Sequence, residues 1–98
     1  MTVNGHRLRS VSAVEAGRMP DGAVLIQERV WRDARTWEVT RRAFYRVTVE
    51  RRRTVGGEDV AVRWAPDGEW PEMPTWQGDW IWLSGGGLSE GYFVEVQE

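Results

Sequence analysis

The chain has 98 residues, no cysteine and a formal net charge of −2. These values exclude a large multidomain protein, a disulfide framework and a thiolate metal site. No run of about 18 apolar residues is present, which predicts no transmembrane helix, and the N-terminus lacks an apolar stretch of signal-peptide length. We therefore expect a single soluble domain spanning residues 1–98, in a reducing cytoplasm.

The N-terminal segment predicts one strand followed by one turn of helix. Residues 6–14 are compatible with a first strand in which Leu8 points inward. Ser12 and Glu15 form a minimal capping box, but Gly17 and Pro20 leave room for only one helical turn.

Two alternating segments predict neighbouring strands at 23–32 and 36–50. In the first, three β-branched residues share one face: Val24, Ile26 and Val30. The second covers 15 residues, which is longer than a usual strand. We therefore expect a bend or bulge near 41–43.

A turn at Asp33-Ala34 joins these two segments in the predicted fold. This turn would place Val30 opposite Trp37 and Val24 opposite Ala43. The apolar faces of the two strands then coincide, which favours this register and puts Trp37 in the core.

The pair Gly56-Gly57 predicts the next hairpin, because glycine tolerates positive φ at both central positions of a tight turn. Centring the turn there sets Val49 opposite Trp64. Val60, Val62 and Trp64 then lie on the same inward face, and Trp64 becomes a second core tryptophan.

The C-terminal half continues with a loop and two further strands. Three prolines and two glycines predict a loop over 65–79. Residues 79–83 read as a strand that is apolar on both faces, so at least one face must be core, and three glycines at 85–87 end it. The last strand, GYFVEVQ, points three side chains one way: Tyr92, Val94 and Val96. Five to six strands with little helix predict an all-β fold, a small antiparallel barrel or sandwich of SH3-like or OB-like topology.

The charges are unevenly distributed along the chain. Residues 1–53 carry twelve arginines against six acidic residues, about +6, and residues 54–98 carry one arginine against nine acids, about −8. In one interpretation the two halves are interleaved in one sheet and neutralise each other, which is the commoner outcome. Alternatively, two faces of opposite sign would suit a charged partner or head-to-tail self-association.

No set of residues predicts catalysis, a metal site or a cofactor. The single histidine, His6, has no neighbouring ligand and is expected at the surface. No serine lies in a nucleophile motif, and Ser84 before three glycines lacks the lysine of a phosphate-binding loop. Three acids lie among the tryptophans (Glu69, Glu72 and Asp79), but so short a chain offers little room for a hydrolase cleft. We expect a protein that is not an enzyme.

Five of the seven tryptophans lie between positions 64 and 82, and two of them are hard to assign to a core. Trp70 and Trp76 lie in the acidic, proline-stiffened loop, beside Glu69 and Glu72. They would be exposed anchors for a protein partner, or they would fold back as a lid over the domain. The first alternative predicts a protein-interaction or assembly module whose contact residues are Trp70, Trp76, Glu69 and Glu72.

Two other functions remain open from the sequence. Single-stranded nucleic acid would bind an independent basic ridge of Arg46, Arg51, Arg52 and Arg53, with Trp31 and Phe44 stacking on bases. The acidic surroundings of the tryptophans and a pI of about 5.5 disfavour it. Carbohydrate would stack on a tryptophan platform. Short chains without cysteine are frequent among phage accessory proteins. This gives a general expectation of such a role, which does not depend on any particular residue of the chain.

Overall fold

Over the residues that the structure describes, the backbone forms one antiparallel sheet of seven strands with a single short helix. The computed structural model describes residues 1–67, 70, 79–83 and 89–96. The elements, in chain order, are β1 (Thr2–Val3), β2 (His6–Val11), α1 (Ala13–Gly17), β3 (Val24–Arg32), β4 (Val39–Thr54), β5 (Gly57–Trp64), β6 (Trp80–Trp82) and β7 (Ser89–Glu95).

The sheet has the strand order β1-β2-β7-β3-β4-β5-β6. The all-β prediction is confirmed. The predicted barrel is wrong, because β1 and β6 lie at opposite edges and do not close the sheet, and the strand count is seven instead of five or six. Among the described residues, no helix has the length and apolar character needed to cross a bilayer.

The inner face of the sheet carries the larger core. Its buried members come from five strands and the helix: Val11, Ala16, Leu25, Val47, Val49, Val60, Val62 and Tyr92. The helix α1 begins at Ser12, whose hydroxyl accepts the backbone N–H of Glu15 at 3.0 Å, as the capping pattern predicts. Ala16 is its fully buried contact with the sheet.

The second face carries a smaller apolar cluster. Leu8, Ile26 and Trp70 are buried there, with Val3, Phe44 and Phe93 packed against them. Leu8 is inward, as predicted, although it contributes to this second cluster. The sheet is therefore covered on both sides over part of its area.

The predicted pairing of β3 with β4 is wrong. Val24 lies opposite Thr48, and Val30 lies opposite Arg42, five positions away from the predicted register. An odd shift exchanges the two faces of a strand. Consequently Leu25, Gln27 and Arg29 share the inner face with Val47, whereas Val24, Ile26 and Val30 lie on the second face.

The pairing of β4 with β5 keeps the predicted faces. The turn lies at Val55-Gly56, one residue before the predicted centre, so Val49 meets Val62 and Val47 meets Trp64. Because this shift is two positions in register, Val60, Val62 and Trp64 remain on the inner face with Val49. The predicted bulge in β4 is confirmed, but it lies at Thr40, one residue before the predicted range of 41–43. The pairing register of β3 and β4 changes between Arg41 and Val39 and leaves Thr40 unpaired.

Candidate functional site

The β3–β4 hairpin extends beyond its neighbouring strands. Within the described residues, β7 pairs with β3 only up to Arg29, and β5 pairs with β4 only from Val47 onward. Residues 30–42, here called the hairpin arm, are therefore paired only with each other. The side chains from 34 to 42 are all exposed, so this outer part of the arm presents both of its faces to solvent, whereas Val30 at its base is buried.

The turn of the hairpin arm is fixed by Asp33. Its carboxylate Oδ1 accepts the backbone N–H of Arg35 at 2.8 Å and of Thr36 at 3.0 Å. Its carbonyl oxygen accepts the N–H of Trp37 at 2.9 Å, and its own N–H donates to the carbonyl of Glu38 at 2.8 Å. The N–H groups of Thr36 and Arg35 lower the pKa of the Asp33 carboxyl, because hydrogen bonds to the carboxylate favour its charged form.

Trp37 is the exposed aromatic residue of this turn. It has a φ of 63°, in the left-handed region that a bulky residue seldom adopts, and it is 71% exposed. Its predicted place in the core is therefore wrong. The Asp33 turn, together with the Thr40 bulge, moves Trp37 from a strand position to the tip of the hairpin.

Arginine side chains lie against both indoles of the hairpin arm. The guanidinium carbon of Arg32 is 5.6 Å from the ring centroid of Trp37, and that of Arg41 is 4.5 Å from that of Trp31. Such contacts stabilise the side-chain positions by about 0.5–1 kcal/mol each at exposed sites. With four arginines against two acids, the arm has a formal charge of +2.

The four arginines of the predicted basic ridge do not form one surface. Arg51 lies on the inner side and donates to the carbonyls of Gly17 at 3.0 Å and Met19 at 3.2 Å, holding the end of α1. Arg52 lies on the other side, with its guanidinium carbon 3.9 Å from the ring centroid of Trp80. Strand alternation separates neighbours onto opposite faces, which is why consecutive arginines do not act together.

The remaining two ridge arginines are also apart from each other. Arg46 donates from NH1 to the carbonyl of Ala65 at 2.8 Å, and its Nε lies 3.5 Å from Oδ2 of Asp67. Arg53 is exposed near the tip of the β4–β5 hairpin, opposite Glu58. The four arginines therefore lie in four different places. Arg51 contacts the end of α1, Arg52 contacts Trp80, Arg46 lines the groove described below, and Arg53 is exposed at a hairpin tip.

A groove lies on the second face, near the beginning of β3. It has a volume of about 410 Å³, and its lining residues come from five separate segments: His6, Val24, Ile26, Arg46, Asp67, Trp70, Val94 and Glu95. Nδ1 of His6 and Oε1 of Glu95 are 2.5 Å apart, and the His6 ring centroid is 5.2 Å from that of Trp70. The groove therefore combines apolar residues with a His6–Glu95 contact and an Arg46–Asp67 ion pair.

Trp70 folds back onto the sheet. It is 5% exposed and packs with Leu8 and Ile26, so the expectation of an exposed anchor is wrong for this residue and the lid alternative describes it. Apolar packing of a large indole outweighs its acidic sequence surroundings. Glu69, Glu72 and Trp76 lie outside the described residues, and their part in partner binding stays a prediction.

The sequence singles out Arg46 and Trp70 as candidate site residues, but it does not indicate the groove or the other residues that line it. His6 and Glu95 are 89 positions apart, and only the antiparallel pairing of β2 with β7 brings them together. No local pattern could reveal that contact. Strand alternation predicts a core position for Trp37. Its position four residues after Asp33, a residue type that favours turns, instead indicates a place in the turn.

The described residues offer no ready site for a metal ion. No group of three or more histidine, aspartate or glutamate side chains comes together in that part of the chain. Comparison with protein-family models, curated proteins and solved structures finds no significant match. The functional argument therefore depends on the hairpin arm and the groove themselves.

Proposed function

We propose that this chain is a non-enzymatic protein-interaction or assembly module that binds through the hairpin arm, with Trp37 as the anchor. One observation carries the proposal: an indole that is 71% exposed occupies a backbone conformation with φ 63°. That conformation costs a bulky residue about 1–2 kcal/mol. Exposure and strain together give the folded domain little benefit, whereas tryptophan beside arginine dominates the binding energy of many interfaces.

The hairpin arm is also organised before any partner binds. The Asp33 hydrogen bonds fix the turn, and Arg32 donates from NH1 to the carbonyl of Trp37 at 3.1 Å. Association costs less free energy when the contacting side chains are already ordered. A preformed turn with an aromatic tip therefore supports docking into a concave partner surface.

The other two functions find less support in the geometry. A single-strand binder needs a continuous basic groove with free aromatic faces, but the ridge arginines are dispersed and Arg41 covers one face of Trp31. A sugar platform needs coplanar indoles, and the rings of Trp80 and Trp82 meet edge to face at 81°.

The proposal is tested by affinity capture from an extract of the source cells, followed by mass spectrometry. Trp37→Gly removes the anchor while suiting the positive φ. Val55→Ala is the matched control, because Val55 is a fully exposed hydrophobic residue at the tip of the other hairpin. We expect the native chain and the Val55 variant to capture the same partner and the Trp37 variant to lose it. Equal capture by all three chains would refute the proposal.

A further inference from the structure

We infer that the partner of the hairpin arm is a second copy of this chain, which receives the arm in its groove. This inference depends on the proposed function and adds the identity of the partner. It starts from the chemistry of the groove. The lining is mixed: its accessible surface is mainly polar, and Val24, which is open to solvent, adds an apolar part beside the buried Ile26 and Trp70.

The accessible charge of the groove is negative. The side chains of Glu95 and Asp67 are 44% and 49% exposed, whereas those of their partners, His6 and Arg46, are 19% and 28% exposed. Arg46 also has its NH1 bound to the Ala65 carbonyl. A ligand entering the groove therefore meets the partly exposed carboxylates of Glu95 and Asp67 together with the apolar side chain of Val24. This arrangement suits a cationic side chain with an apolar stem or an aromatic neighbour.

The hairpin arm offers such a ligand. Arg35 is exposed at its tip, and within the described part of the chain its side chain makes no hydrogen bond or ion pair. The indole of Trp37 lies two residues further along the same turn. The arm carries a formal charge of +2, opposite in sign to the rim of the groove. Complementary charge steers association and fixes the register of docking.

The arm and the groove lie at opposite ends of β3. Val24 lines the groove and Arg32 enters the turn, and the strand between them has nine residues, about 27 Å at the usual rise. The arm therefore does not reach the groove of its own molecule. One such contact leaves one arm and one groove unoccupied, so the contacts either close into a ring, of which a pair exchanging arms is the smallest, or extend into a filament.

The first experiment measures the mass of the native chain as a function of concentration by sedimentation velocity. A contact made by one hairpin tip is small, so we expect weak association with a dissociation constant that is roughly micromolar or higher. Two variants each disable one side. Arg35→Ala with Trp37→Gly removes the ligand, and Glu95→Lys reverses the charge of the rim. We expect each to weaken self-association about tenfold or more. Arg53→Ala, an exposed arginine on the other hairpin, is the control and should leave it unchanged.

Mixing the two variants gives the decisive result. The arm of the Glu95→Lys chain is intact, and so is the groove of the Arg35→Ala/Trp37→Gly chain. An equimolar mixture should form a 1:1 dimer that does not grow, at a concentration where each chain alone associates at least about tenfold more weakly than the native chain. A native chain that stays monomeric at about millimolar concentration, or a mixture that forms no dimer, overturns the inference. If Trp37-dependent capture of another protein persists in that case, the proposed function stands with a different partner.

Discussion

Gln27 and Tyr92 are 65 positions apart and share a hydrogen bond on the inner face, where the Gln27 amide nitrogen donates to the Tyr92 hydroxyl at 3.0 Å. Gln27 is fully buried, and its amide oxygen has no hydrogen-bond partner among the described residues. A buried acceptor without a partner costs about 1–3 kcal/mol. The centre of this sheet therefore contains a polar residue that is only half satisfied.

Replacing Gln27 with leucine removes the unpaired oxygen and keeps most of the volume. We expect Gln27→Leu to leave the free energy of unfolding unchanged or to raise it by up to about 1 kcal/mol. Gln27→Ala opens a cavity and should lower the free energy of unfolding by about 2 kcal/mol. Urea denaturation of the two variants measures the difference. A leucine variant less stable than the alanine variant would contradict this account.

Arg51 is expected to stabilise the packing of α1, whereas Arg53 is not. Arg51→Ala removes the hydrogen bonds to the carbonyls of Gly17 and Met19, and we expect a loss of about 1–2 kcal/mol. Arg51→Lys should recover little of it, because Nη2 donates to both carbonyls while Nη1 reaches Oε1 of Glu58 at 3.4 Å, and an ammonium group lacks this planar fork. Arg53→Ala should change stability by less than about 0.5 kcal/mol. Thermal unfolding of the three variants would contradict the assignment if all were equally stable.

The turn of the hairpin arm should loosen in acid. The backbone N–H groups of Thr36 and Arg35 hold the pKa of Asp33 below its ordinary value of 3.8. The stabilisation is therefore complete above pH 3.8 and is lost as the pH falls through the lowered folded-state pKa. Amide NMR shifts of Arg35 and Thr36, followed from neutral pH to about pH 2, report the change. Asp33→Asn keeps an acceptor oxygen and should abolish this titration; a transition that persists in it would assign the effect elsewhere.

The Trp37→Gly variant should be more stable than the Trp37→Ala variant. Both substitutions remove the contact with Arg32, but only glycine adopts a φ of 63° without strain. We expect Trp37→Gly to exceed Trp37→Ala by about 0.5–1 kcal/mol in free energy of unfolding. Denaturant titration of the pair provides the measurement. Equal stability would mean that the turn relaxes when the indole is removed.

Trp70 should behave as a core residue in unfolding experiments. Trp70→Ala empties the site beside Leu8 and Ile26, so a loss of about 3 kcal/mol or more is expected. Trp70→Phe keeps part of the packing and should lose less. Differential scanning calorimetry of both variants decides the matter. An unchanged melting temperature for Trp70→Ala would restore this residue as a candidate surface anchor.

The sequence predicts the faces of β4 and β5 because strand alternation and a glycine turn act locally. It fails for β3 because the register depends on which turn Asp33 closes and on one bulge at Thr40, and a shift by an odd number of residues exchanges every side chain. Gln27 and Arg29 are then buried against expectation. Arg29 is accommodated by the ring of Trp64, 5.6 Å from its guanidinium carbon, and burial lowers the pKa of Arg29. Such long-range partners leave no trace in a local pattern.

The lengths of the outermost strands determine how this protein behaves when concentrated. β1 has two residues and β6 has three, so neither margin of the sheet offers enough backbone to recruit a strand from another molecule. The longer free margin along the hairpin arm is interrupted at Thr40 and carries Arg41 and Arg42. Fibril-like stacking by backbone pairing is therefore discouraged at these three margins of the described sheet, where crowding favours reversible contacts between side chains over amyloid growth.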